Sequence, residues 1–313
     1  MSQIQFIKPS FEEIKSKIQQ ELKDKSFEEK IIHSQNGIEL MPIYTKDTTS
    51  IPIQVFPYVE DRIFFQSITI SNDIEAINKE IIVALENGAS GLRLDFKDIS
   101  QFLDWDVLFH KIRFDYIYTQ ILHISDNLKK SFNEYLSRQK YEIKENQVLF
   151  EESLYMIKDS NFFEDVVFLL NKIESNSYNS PYNISIQLKG DYFWDLCKIR
   201  AFKILFDSIR QKFHLEKGLI IANTYIGKGS SIHENNLLML TTQALSGLIA
   251  GCDGMVIDTF NGEDNSFSNR MSRNIFNILK EEAYLDKVDD PSFGSYFIEN
   301  YTKKIAEKIY QLL

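Results

Sequence analysis

Residues 219–258, LIIANTYIGKGSSIHENNLLMLTTQALSGLIAGCDGMVID, decide the fold class. An apolar run at 219–223, too short for a helix, leads into a polar loop containing Gly227 and Gly229. An apolar stretch at 235–250, closed by Gly251, is long enough for a helix, and a second short apolar run follows at 255–258. Strand, loop, helix, strand is the pattern of parallel strands joined by a crossover helix. The same texture extends upstream to Arg62. Strands are predicted at 63–70, 91–96, 116–122, 147–155 and 182–188, and helices at 73–87, 104–111, 126–139, 162–174 and 192–213. Downstream, helices are predicted at 267–284 and 301–313. Seven β–α pairs are awkward for an open sheet and close to the eight of a (β/α)8 TIM barrel, which is the α/β fold expected here. Before Arg62 the pattern differs. Phe11, Ile14, Ile18 and Leu22 form a helical stripe within 11–30, followed by an extended stretch with alternating Ile38, Leu40 and Ile43 around Gly37 and Pro42. The expected organisation is therefore an N-terminal helical and extended arm, 1–61, and a barrel domain, 62–313.

Composition narrows the function classes. The 313 residues carry a net charge of −10, with 43% hydrophobic and 26% charged residues, a balance suited to a globular core rather than a disordered chain. An acidic chain lacks the dense Lys and Arg field that nonspecific nucleic-acid binding needs. Gly (12) and Pro (6) are scarce, which argues against linker-rich or collagen-like architecture. No apolar run approaches the ~18 residues of a membrane span, and residues 1–10 lack a secretory pattern, so a cytoplasmic protein without membrane or nucleic-acid partners is expected. Cys197 and Cys252 fit buried thiols in a reducing compartment, with one disulfide as the alternative.

Candidate chemistry is sparse. Gly227-Lys228-Gly229-Ser230-Ser231 follows a strand and would lie at the C-terminal face of a barrel, but Ala222 stands where a phosphate-binding P-loop has its first glycine. It reads as a flexible strand-to-helix loop before a phosphate cradle. His233-Glu234 starts a helix, and adjacent helical residues point about 100° apart, so they do not act as a pair. Asp104, Asp106 and His110 are metal-ligand types without one-face spacing. Asp258 ends a very apolar strand and so points to the barrel mouth, with Tyr155, Lys189, Tyr225 and Lys228 as further mouth candidates. No nucleophile elbow, catalytic triad or zinc motif can be assembled, and no catalytic, cofactor-binding or metal residue is assigned.

Several runs carry more than periodicity. They are Ser268-Asn269-Arg270-Met271-Ser272-Arg273-Asn274, then Leu279-Lys280-Glu281-Glu282, then Asp290-Pro291-Ser292-Phe293-Gly294-Ser295-Tyr296 with Glu299 and Thr302. With Lys198-Ile199-Arg200-Ala201, the Gly37–Thr45 run and the segment 82–94, this order and spacing resembles the methylmalonyl-CoA mutase family, most densely after Lys198. The resemblance implies an acyl-CoA mutase barrel. It also marks departures. Where the catalytic chains of that family carry a Gly-Tyr-His run, this sequence has Ser153-Leu154-Tyr155-Met156. The substrate-carboxylate arginine has no counterpart in 114–122, the CoA-holding run is reduced to 56–62, and a histidine-threonine-asparagine strand end becomes Ile257-Asp258-Thr259-Phe260. None of the five histidines lies in a D-x-H-x-x-G cobalamin-ligand motif.

The resemblance thus implies the small (beta) subunit of a methylmalonyl-CoA mutase. Such a chain is non-catalytic, binds no cofactor itself, and forms a heterodimer with a large (alpha) catalytic subunit that holds adenosylcobalamin. The alternative is a stand-alone barrel that binds or converts an acyl-CoA, with a separate cobalamin-binding chain.

Overall fold

The computed structural model describes residues 8–23, 26–28, 33–49, 59, 61–99, 103–144, 146–175, 181–227 and 229–313. Helix α1 (Phe11–Leu22) starts in a capping box in which Ser10 and Glu13 satisfy each other's backbone N–H. A short antiparallel hairpin follows, β1 (His33–Gln35) and β2 (Ile38–Leu40), turning through Asn36 and Gly37, both at positive φ. Ile38 and Leu40 reach the main core.

Eight parallel strand segments then alternate with helices. They are β3 (Ile63–Thr69), α2 (Ile74–Glu86), β4 (Gly91–Asp95), α3 (Trp105–Leu108), β5 (Tyr118–Leu122), α4 (Asp126–Ser137), β6 (Val148–Phe150), β7 (Leu154–Ile157) and α5 (Phe162–Ser175). The series continues with β8 (Asn183–Gln187), α6 (Tyr192–Lys212), β9 (Ile220–Asn223), α7 (His233–Ile249), β10 (Gly254–Val256) and α8 (Ser266–Asn277). A π turn (Ile278–Glu282) prolongs α8, and α9 (Tyr296–Leu312) ends the chain. The sheet order is β6-β5-β4-β3-β10-β9-β8-β7, so the last strand pairs with the first and the sheet nearly closes into a TIM-like barrel.

One expected strand is two. The 147–155 run is broken by a single 3₁₀ turn, Glu151–Ser153, closed by Ser153 Oγ donating to the Phe150 carbonyl at 2.7 Å. Val148–Phe150 pairs with β5, whereas Leu154–Ile157 pairs with β8. No helix separates β6 from β7, which is why the sequence shows seven β–α pairs for eight strand segments. The helix expected at 11–30 ends at Leu22, and the one expected at 301–313 starts earlier, at Tyr296.

Two apolar layers hold the fold. The larger lies between helices and the outer face of the sheet. The smaller fills the barrel's lower interior with Ile63, Phe65, Leu149, Leu154, Ile221 and Val256. Phe65 fits because its neighbours on β4 and β10 are glycines. A Cβ on Gly91 would come within 2.7 Å of the ring, and one on Gly254 within 2.8 Å.

Polar anchors tie the outer helices together. Arg200, buried on α6, donates to Asp290 Oδ2 (2.5 Å), Ser292 Oγ (2.9 Å) and Glu299 Oε1 (3.1 Å), and Glu299 also accepts from the Gly294 N–H. Two residues earlier, buried Lys198 joins Asp195 and Asp159, each at 2.6 Å. The runs that carry the family resemblance are therefore mutual contacts. Arg273 donates to buried Gln66 at 2.8 Å, while Arg270 lies over the Phe267 ring, so this pair divides between core and surface rather than sharing one face. Both cysteines are buried and free, and burial pushes their thiols up to about 12 (Cys197) and about 11 (Cys252). No described helix is long and apolar enough to cross a membrane. Replacing Arg200 with Ala would strand Asp290 and Glu299 without their guanidinium. Urea unfolding is expected to show a loss of about 3–5 kcal/mol relative to the parent.

Candidate functional site at the barrel mouth

Strand alternation assigns the inward positions. Ile63 and Phe65 face inward, so Ser67 and Thr69 do too. Gly91 lies against Phe65, so Arg93 and Asp95 share its face, and Val256 carries Asp258 with it. The lower positions are closed, whereas Ser67, Thr69, Arg93, Asp95, Gln187 and Asp258 keep partial exposure. The interior is therefore a cup with an apolar floor, open at the C-terminal ends of the strands, where barrel proteins place their sites.

Arg93 is the centre of this cup. It stands opposite Gln120 in the β4–β5 register, and its Nε donates to Gln120 Oε1 at 2.7 Å. Its Nη2 donates to Asn223 Oδ1 on β9 at 2.5 Å, and Asn223 Nδ2 in turn donates to Ser185 Oγ on β8. One guanidinium thus spans the barrel. Burial pulls its pKa down to about 10, against the opposing pull of the Asp258 and Asp95 carboxylates. Burial also raises Asp258 above the usual carboxylate range, offset in part by the Ile226 N–H and by Arg93.

At the rim, His123 follows β5 with φ 53°. Its Nδ1 lies 2.8 Å from Asp95 Oδ1, its backbone N–H donates to Glu151 Oε2 at 3.0 Å, and its Nε2 is 3.8 Å from Glu151 Oε1. The hydrogen bond to Asp95 raises the His123 pKa above its ordinary value.

Of the residues singled out from sequence, Asp258 lies in the cup. Its N–H is held by Thr224 Oγ1 at 2.8 Å and its carbonyl by Ser272 Oγ at 2.8 Å. Lys189 sits at the end of β8, 63% exposed, with Nζ 3.7 Å from Asp159 Oδ2. Its own amide is pinned by Asp195. Tyr225 follows β9 with its ring half exposed and its backbone clamped on both sides by the Gln243 amide. Tyr155 turns to the helix layer, because on β7 it alternates with inward Leu154. Its ring packs on Tyr182 at 5.4 Å, with Lys172 Nζ 4.8 Å away. Met156 takes the inward position beyond Leu154 and is 48% exposed. Lys228, like residues 56–58 and 60 of the reduced CoA run, lies outside the described residues.

The loop around Lys228 is shaped by Asn236 of α7, which accepts from Ser230 N at 2.8 Å and donates to the Ser230 and Phe260 carbonyls. His233 and Glu234 are exposed first-turn residues of α7. Asp104 caps α3, and Asp106 faces Arg138 at 3.5 Å. Among the described residues no group of three His, Cys, Asp or Glu side chains is arranged to hold a metal. Sequence reading missed Arg93, Gln120 and the Asp95–His123–Glu151 cluster. The available signal was an arginine in the middle of the otherwise apolar Gly91–Asp95 strand.

Fold and mouth together define an α/β protein of the TIM-barrel class. Residues 176–313 match the sequence model of the methylmalonyl-CoA mutase family. The small subunit of methylmalonyl-CoA mutase from Porphyromonas gingivalis is 30% identical over 168 residues, covering 46% of this chain and 26% of that protein. A methylmalonyl-CoA mutase from Rhizobium meliloti is 31% identical over 132 residues, covering 39% and 18%. A small subunit from Streptomyces virginiae is 34% identical over 74 residues, covering 23% and 12%. The matches thus span about a quarter or less of the length of these relatives. Among solved structures, a dihydropteroate synthase from Xanthomonas albilineans superposes with a TM-score of 0.36 at 11% identity over 70% of this chain and 94% of that one, too distant to bear on function.

The rim cluster gives a pH signature. The contact with Asp95 favours protonated His123, so its contribution is fully present below the ordinary His value of 6.5 and is lost as pH rises through the elevated folded-state value. An NMR titration of the His123 ring is expected to show a pKa above 6.5, and Asp95→Asn is expected to bring it back toward that value.

Proposed function

We propose that this chain is the small, non-catalytic subunit of a two-chain methylmalonyl-CoA mutase and that it stabilises a large catalytic subunit as a heterodimer in the cytoplasm. In this reading 1–61 form an arm and 62–313 the barrel domain. The observation that carries the proposal is the apolar floor. Phe65, between Gly91 and Gly254, fills the barrel interior with Ile63, Leu149, Leu154, Ile221 and Val256. Among the described residues these side chains close the lower interior, while Lys198 and Arg200 tie the outer helices together. Resemblance to chains named small subunit supports the same reading.

The family implies adenosylcobalamin. Two of the five histidines, His123 and His233, are engaged in ways that do not suit an axial ligand. His123 has its Nδ1 on Asp95 and its Nε2 beside Glu151, and His233 stands edge-on to Phe260 with ring centroids 6.0 Å apart. In this reading the cofactor belongs to the large subunit.

A second reading, a stand-alone barrel acting on an acyl-CoA, draws support from the polar cup around Arg93 and Asp258. The two readings separate in one experiment. Co-expression with the large mutase chain of the same organism, followed by size-exclusion chromatography and a cobalamin-dependent isomerase assay, is expected to give a one-to-one complex. Its activity should survive Asp258→Ala in this chain. Absence of a complex at micromolar concentration, or CoA-ester turnover by this chain alone, would overturn the small-subunit reading.

A further inference from the structure

Strands β6 and β7 are the two edges of the sheet, and among the described residues no backbone ladder joins them. This seam is crossed by the Glu151–Ser153 turn and by side chains on either side of it. One side-chain bridge is uncharged: Asn183 Nδ2 on β8 donates to Asn146 Oδ1, just before β6, at 3.1 Å. The other is made by His123, which follows β5 and is set between two carboxylates. The Asp95 carboxylate can only accept, so His123 Nδ1, 2.8 Å from it, carries a hydrogen in either charge state of the ring. The proton that comes and goes is therefore the one on Nε2, and Nε2 faces Glu151 Oε1 at 3.8 Å. With that proton in place the ring attracts Glu151. Without it, a nitrogen lone pair faces a carboxylate oxygen. The second Glu151 oxygen accepts from the His123 backbone N–H at 3.0 Å, a bond that does not titrate. Lys97, 3.9 Å from Asp95, opposes the proton, and Glu152, next along the turn, is ion-paired to Lys129 of α4.

We infer that His123 is a proton-operated clasp on the β6–β7 seam: protonated, it draws the Glu151–Ser153 turn toward the end of β4, and neutral, it holds the turn by its backbone N–H alone. The clasp tightens below the midpoint of the ring and loosens above it. The Asp95 contact puts that midpoint above the ordinary histidine value of 6.5, so the response falls near neutral pH. His123 and Glu151 are both about half exposed, 52% and 49%, so water and salt screen the pair. The contact therefore shifts local opening of the turn by about two- to fivefold and leaves the barrel folded. The clasp is a property of the chain itself and does not depend on the heterodimer.

The test is amide hydrogen exchange on the full-length chain, with protection factors compared on either side of the His123 midpoint. The reporter is the Leu154 N–H, which donates to the Glu151 carbonyl and so closes the turn. Amides of β3, in the middle of the sheet, are the control. Expected is an about two- to fivefold fall in Leu154 protection as His123 loses its proton, with β3 unchanged. His123→Asn suits the left-handed backbone at this position, φ 53°, and has no proton to lose, so the fall should vanish. Glu151→Gln keeps an acceptor for the His123 N–H and removes the charge, so His123 should still titrate while Leu154 no longer responds. Leu154 protection that stays constant across the midpoint overturns the assignment, as does a fall of the same size in Glu151→Gln. If His123→Asn fails to fold, the comparison of the parent with Glu151→Gln decides, and neither result touches the question of subunit assembly.

Discussion

The buried guanidinium of Arg200 is the contact on which the outer shell depends. Helix α6 runs against α9, and between them Arg200 gathers Asp290, Ser292 and Glu299 from a segment some ninety residues away in sequence. Burying these charges is costly, and the cost is offset only because each finds a partner of opposite sign with direct hydrogen bonds. Lys198 does the same one turn-fraction earlier with Asp195 and Asp159, while Lys203 donates to the Ala250 and Gly251 carbonyls at the end of α7. Three cations on one helix therefore index α6 against the turn before α9, the strand-end loop at Asp159 and the C-terminus of α7. Apolar packing alone tolerates sliding by a residue, and this set of charge pairs does not.

Inside that shell the barrel interior changes character along its axis. Large rings and aliphatics occupy the lower level, and the upper level is polar, with Arg93 reaching across to Gln120 and Asn223. The change follows from strand alternation. Each strand that contributes a floor residue contributes a polar one two positions later: Phe65 precedes Ser67, Gly91 precedes Arg93, Tyr118 precedes Gln120, and Ile221 precedes Asn223. Closed floor and open cup are thus consequences of one register.

Much of this was legible in the sequence. The alternation of short apolar runs with helical stripes marks the barrel class, and the order of the C-terminal runs marks the resemblance to methylmalonyl-CoA mutases, because both are recorded along the chain. Contacts across the chain are not. Arg93 and Gln120 lie in separate strands with no shared local motif, and only the β4–β5 register sets them opposite each other. Tyr155 was read as a mouth residue from its place at a strand end, but parity decides, and inward Leu154 sends it to the helix layer against Tyr182. The break at Glu151–Ser153 was hidden for a related reason. Its flanks are both strand-like, and besides the local Ser153 bond the turn is held by a distant group, the His123 N–H on Glu151.

That break has a mechanical meaning. Strands β6 and β7 are the two edges of the sheet, yet they are consecutive in the chain and joined by three residues. Most barrels are hoops held shut by hydrogen bonds between edge strands, so opening one is a matter of breaking a ladder. Here the hoop is fastened by the backbone itself, like a belt whose buckle is a covalent link. The Asp95–His123–Glu151 contacts lie beside that link and tie Glu151 to the ends of β4 and β5.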